Sequence, residues 1–159
     1  MASEPSVKAV LIITGTSIRA EELDRPLAYY LKQKVEAALA DGDHGARPPR
    51  VVVMSDLRWL HDEPLQVLPT ICLGGPGVNA LSRRWLEQVP LSMAVDDRYY
   101  IQMDPDLDEP HVCIWGMDNA NTQIAVSLFI DRFLPYFLDQ VLTADLDSTD
   151  IDLDAEDND

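Results

Sequence analysis

Residues 7–57 open with VKAVLIITGTS and close with RVVVMSDL, two β-branched apolar runs of the kind found in strands buried on both faces. Between them Leu23, Leu27, Tyr30, Leu31, Val35, Ala38 and Leu39 recur three and four apart, a period that predicts an amphipathic helix ending near Ala40. The segment DGDHGARPPR, residues 41–50, is a turn by its Gly and Pro content. Strand, helix and strand at this spacing make a right-handed βαβ unit.

The alternation continues and then breaks. RWLHDEPLQVLP, residues 58–69, has two Pro and mixed polarity and predicts a crossover loop with at most a short helix. LPTICLGG, residues 68–75, reads as a third strand; Gly74-Gly75-Pro76-Gly77 turns the chain into a helix from about Val78 to Val89, with Leu81, Trp85, Leu86 and Val89 inward. RYYIQMD (98–104) and HVCIWG (111–116) are separated by PDLDEP, too short for a helical crossover, so they pair as an antiparallel hairpin. A long apolar helix follows from about Thr122 to Leu142, where Pro135 should kink or split it. The expected architecture is α/β and three-layered, flavodoxin/Rossmann-like, with a mainly parallel sheet of five strands, one of them antiparallel, and helices on both faces.

With 159 residues, 47% hydrophobic and 25% charged, the chain suits one globular domain. Twelve Lys and Arg against 28 Asp and Glu give a net charge of −16, the wrong sign for gripping a nucleic acid or an anionic membrane. The acidity concentrates at the end, where Asp145, Asp147, Asp150, Asp152, Asp154, Glu156, Asp157 and Asp159 stand with no basic residue. Residues 144–159 are therefore expected to be a disordered acidic tail behind a domain of residues 1–143. The alternating Asp of that tail lack the Gly turn and closing Glu of a calcium loop. Cys72 and Cys113 lie in apolar runs and read as buried thiols, and His44, His61 and His111 are too scattered for a zinc site. Neither a leader nor a membrane-length apolar run is visible, which makes a cytoplasmic protein the expectation.

In an open α/β sheet, ligands bind outside the carboxyl ends of the strands. Four loops supply polar groups to that rim: Gly15, Thr16, Ser17 and Arg19; Asp56; Gly74, Gly75, Gly77 and Asn79; and Asp118, Asn119, Asn121 and Thr122. Three of these loops run into helices, whose free N–H groups suit an anion or a polar ligand. Asp56 and Asp118 are the acid–base or hydroxyl-binding candidates, Thr16 and Ser17 the hydroxyl contacts, and Arg19 the anion contact. The same residue types also cap helices, a role open to Thr16 or Ser17, to Asn79, and to Asn121 or Thr122. Three Gly and a Pro in four positions exceed what one cap needs and imply close approach of the backbone to something. No nucleophile and base pair can be named, since Ser17 lacks a His partner and Cys72 lies within a strand.

Ser17 and Arg19, the later Leu27, and Asp56-Leu57 with Leu60 resemble the Gly-Ser-x-Arg loop, helix Leu and Asp-Leu segment of the flavodoxin-like NADPH-dependent FMN reductases. The resemblance covers roughly residues 7–60 and implies a flavodoxin-like fold with FMN as a cofactor. The chain departs from it where Glu22, beside Glu21 and Asp24, replaces the family's second phosphate-binding Ser, and where GGPGVN replaces an aromatic-bearing third loop. Carboxylates at that position repel a phosphate, so FMN is disfavoured. LGGPGVNAL, with Gly116, Thr122 and Ala125 further on, resembles the Gly-Gly-Pro-x-x-Asn turn of archaeal surface-layer protein domains, which implies a glycine loop used for packing alone.

Two functions follow. One is binding of a small polar or nucleotide-like ligand at the rim. The alternative is a non-catalytic protein-interaction or structural module with an acidic tail, in which Trp59, Trp85 and the Tyr99–Tyr100 pair would anchor another protein chain.

Overall fold

The computed structural model describes residues 9–41, 48–86, 88, 91–95, 98–104 and 106–143. The expected acidic tail, the centre of the first turn with His44, and Val89 lie outside the described residues. The sheet has six strands: β1 (Ala9–Thr14), β2 (Arg50–Ser55), β3 (Thr70–Leu73), β4 (Leu91–Val95), β5 (Tyr99–Met103) and β6 (His111–Gly116). Their order is β2-β1-β3-β6-β5-β4. β1 pairs in parallel with β2 and β3, and β3 with β6; β5 runs antiparallel to both its neighbours, β6 and β4.

All five expected strands are present, β5 is the one antiparallel member, and β4 widens the sheet by one strand. The residues of β4, LSMAV, are short and interrupted by Ser and Ala, and their pairing with β5 shifts register between Leu91 and Met93. Such a segment declares itself a strand only when a neighbour offers a ladder edge. The order β2-β1-β3 is that of a doubly wound sheet of flavodoxin type, whose direction of winding reverses between β1 and β3.

Alternation along β1 sorts the core into two layers. Val10 and Ile12 face one side, where they pack with Leu31, Val35, Phe129 and Phe137; Ala9, Leu11 and Ile13 face the other, with Trp59, Leu65, Leu81 and Trp85. The first layer is covered by α1 (Arg25–Asp41), α4 (Asn119–Leu128) and α5 (Leu134–Thr143). The second is covered by α2 (Asp56–Leu60) and α3 (Ala80–Trp85), with a 3-10 turn at Glu63–Val67. The expected crossover loop therefore holds two short helical pieces, because Ser55 caps α2 by accepting from the Arg58 N–H and Pro64 starts the second piece.

Two wide π turns adjust the long helices. Pro135 splits the last helix as expected: Phe129–Phe133 form a π turn in which the Leu134 N–H reaches the Phe129 carbonyl, the local answer to a ring that cannot follow an α-turn without collision. A second π turn, Ala20–Asp24, precedes α1. In this stretch Leu23 and Tyr30 are exposed, against the periodic expectation, and Ala20, Asp24 and Ala28 are buried on one line with Leu31 and Val35. Cys72 and Cys113 are buried free thiols on adjacent strands. Among the described residues no helix is long and apolar enough to cross a membrane.

Candidate functional site

The helix N-termini at the carboxyl rim are closed by the chain itself. Ser17 Oγ accepts from the Ala20 N–H at 3.1 Å. Asn79, almost wholly buried, accepts from the N–H groups of Leu81 and Ser82 and donates through Nδ2 to the Leu73 carbonyl at 3.0 Å. Asp56 Oδ2 crosses over to accept from the Ala80 N–H at 2.8 Å, and its Oδ1 accepts from the Leu57 N–H. At α4 the cap is Asp118, whose Oδ1 accepts from the Asn121 N–H at 2.8 Å and from Asn121 Nδ2 at 2.9 Å. Thr122 Oγ1 accepts from the Gly116 N–H and donates to the Asp118 carbonyl.

These bonds revise the expected roles. Ser17, Asn79 and Asp118 are caps; Asn121 and Thr122 brace the Asp118 loop, with α4 beginning at Asn119. Asp56 is buried between two helix starts, and its engaged oxygens make it a structural acceptor. Thr16 is exposed.

The glycines also meet the chain's own loops. A Cβ on Gly15 would stand 1.8 Å from the Val78 carbonyl oxygen, so loops one and three touch there. Gly74 adopts φ of 108°, a left-handed conformation, and a Cβ on it would meet Asp24 Oδ2 at 2.6 Å. Gly75 backs onto the Trp115 ring, whereas Gly77 has nothing near it.

Between these loops lies a cleft of about 390 Å³ outside the ends of β1, β3 and β6. Of the expected site residues it brings together Arg19, Gly75, Gly77, Asp118, Asn119 and Thr122; Gly15, Thr16, Ser17, Asp56, Gly74, Asn79 and Asn121 are not on its walls. Asp24 and Trp115, missed by the sequence reading, line it with Leu23, Pro76, Val78 and Met117. Asp24 was legible in one respect: with Ala20, Ala28 and Leu31 it keeps helical spacing along a buried line.

Two polar groups in this cleft are unusual. Asp24 is only 7% exposed, and burial pushes its carboxyl up to about 6, with the nearby charge of Arg19 acting in the opposite sense. Asn119 Oδ1 is buried with no hydrogen-bond partner among the described residues. A buried acceptor left in that state costs about 1–3 kcal/mol. Trp115, in contrast, is held: its Nε1 donates to Gln102 at 3.2 Å and its ring stacks on Tyr100.

A second cleft, of about 670 Å³, lies at the opposite end of the strands beside Trp59, Trp85 and His111. Its rings are part of the core. His111 stacks on Trp85 with centroids 4.6 Å apart, its Nε2 bonds the Gln66 carbonyl, and burial holds its imidazole below the usual range. Asp104 there turns both oxygens to the N–H groups of Asp106 and Asp108. Among the described residues no three His, Cys, Asp or Glu side chains converge as metal ligands would. No family model and no curated protein matches the chain.

Proposed function

We propose that this domain binds a small polar ligand in the cleft between the Arg19–Asp24 segment and the Trp115–Asn119 loop. The observation that carries the reading is the coincidence, in one cleft at the carboxyl rim, of a desolvated carboxyl at Asp24 and a buried, unpartnered acceptor at Asn119. Folding gains nothing from either group, and perturbed or unsatisfied polar groups in a cleft are the signature of a site prepared for something else. The cleft falls within the size range of small-molecule sites, and its walls combine apolar side chains with few polar ones, as such sites do.

Gly77 provides the test, because it lines the cleft and a Cβ there would meet no atom within 4 Å. Gly77→Phe should obstruct the cleft while shifting the melting temperature by no more than about 2 °C. Small molecules co-purifying with the wild type, released and identified by mass spectrometry, should be missing from the variant. An unchanged complement would remove the ligand from this cleft.

Nucleotide-like ligands are constrained by their phosphate. Phosphate sites use open helix N-termini, and here Ser17, Asn79, Asp56 and Asp118 occupy them, with Glu21 and Glu22 in the first turn beyond Ser17. FMN added at micromolar concentration should therefore leave both its own fluorescence and the protein's melting temperature unchanged. Saturable quenching of the flavin would overturn this expectation.

The interaction-module alternative loses its expected anchors, since Trp59, Trp85 and Tyr99 are buried in the core and Tyr100 stacks against Trp115. Its remaining support is exposed apolar side chains such as Ile18, next in sequence to the cleft residue Arg19, and Met117, which lines the cleft.

A further inference from the structure

If the cleft is a binding site, as read above, its lining also speaks to the charge of what it binds. Asp24 and Asp118 face a single cation, Arg19, among the described lining residues. Asp118 is engaged as a helix cap, whereas the Asp24 carboxyl accepts no hydrogen bond from the described residues although it is more than nine-tenths buried. The other unmatched group, Asn119 Oδ1, is also an acceptor. Both therefore call for donors. Most features that attract anions are already spent: Ser17 and Asp118 close the two helix starts at the cleft and Arg25 is tied to Glu21 at 3.2 Å, which leaves Arg19 against two carboxylates. A chain of net charge −16 draws cations toward its clefts in any case.

We propose that the cleft takes a small organic cation, an amidinium or ammonium group carried on an apolar body, with its N–H groups directed to the Asp24 carboxylate. Leu23, Val78 and Trp115 provide the surface for the apolar body, and Asn119 lines the same walls. A desolvated carboxylate without a partner is costly, and a charge-assisted pair with a ligand cation is the compensation available to it. Such binding needs Asp24 ionised. The charged groups around it are Arg19 from the preceding loop, Asp118 from the loop before α4, and the Glu21–Arg25 pair on its own helical segment. Binding of a permanently charged amidinium should therefore weaken as the pH falls through about 6.

Benzamidine, benzamide and benzoate share one shape and differ in charge, and titrating each into the full-length 15N-labelled protein separates the possibilities. Benzamidine should shift the backbone amide signals of Gly75, Gly116, Met117 and Asn119 with an affinity roughly tenfold or more above that of benzamide, and benzoate should leave them unmoved. In Asp24→Asn, benzamidine affinity should drop by roughly tenfold while that of benzamide stays the same. Benzamide or benzoate binding at these amides as tightly as benzamidine overturns the charge assignment and leaves the site standing. Shifts that gather elsewhere, or none from any of the three up to their solubility limits, overturn both.

Discussion

Gly15→Ala should destabilise the protein by about 3 kcal/mol, lowering the melting temperature by roughly 6–12 °C, the largest effect of any single methyl group added at the carboxyl rim. The added Cβ would lie 1.8 Å from the Val78 carbonyl oxygen and 3.2 Å from the Ala20 Cβ, and the first of these is backbone that cannot swing aside. Relief requires the loop after β1 to part from the glycine loop after β3. That movement pulls on the hydrogen bonds of Asn79, which tie the start of α3 to the end of β3. Gly77→Ala is the matched control, since its Cβ meets nothing within 4 Å, and it should remain within about 0.5 kcal/mol of wild type. Thermal unfolding of the two variants side by side measures the difference, and equal melting temperatures would mean that the two loops do not touch in solution.

Asp24→Asn should act in the opposite direction, raising stability at neutral pH by about 2 kcal/mol, or roughly 4–8 °C in melting temperature. Burial raises the folded-state carboxyl to about 6 from an unfolded value of 3.8, so above 6 the native state carries a carboxylate that the unfolded chain solvates better. The full shift would correspond to about 3 kcal/mol, which contact with water in the cleft reduces. As the pH falls through 6, the folded state takes up the proton first and the wild type regains that stability, until below 3.8 both states are protonated and the advantage of Asn disappears. Melting curves of wild type and variant across this window should converge toward acid. An Asn variant no more stable at neutral pH would show that the carboxylate is compensated in the native state. Under the cation-binding proposal, a more stable Asn variant that binds benzamidine less well would be a trade-off between stability and function.

Much of the fold was legible because its cause is periodic. Ala9–Ile13 and Val112–Trp115 are apolar at every position, as strands covered on both faces are, and the short PDLDEP connection required β5 to turn back along β6. Pro135 announced its break because a ring without an N–H has the same effect in any helix. The helix face after Ser17 was misplaced because the buried line Ala20, Asp24, Ala28, Leu31 and Val35 begins with two small residues and a carboxylate, which do not advertise an inner face as Leu23 and Tyr30 do. Leu23 and Tyr30 were thereby assigned inward, while Asp24 was read only as a charge opposing phosphate.

The glycine-rich loop shows the same division. Its composition correctly implied close approach of the backbone, yet the approaching groups belong to the chain itself: Asp24 at Gly74 and Trp115 at Gly75. The rim residues Ser17, Asn79, Asp56 and Asp118 could be identified by type as either caps or ligand contacts, and the choice between those roles depended in part on partners distant in the chain, 24 positions for Asp56 and Ala80 and 66 for Asn79 and the Ile13 carbonyl.

By itself the sequence determined the layers, the winding of the sheet and the rim where a cleft would form, since these follow from hydrophobic period and turn chemistry within a few residues of each position. Only the tertiary structure decided which polar groups were left over. Hydrogen-bond satisfaction is settled between segments distant in the chain, so Asp24 and Asn119 become exceptional only after their neighbours have found other partners.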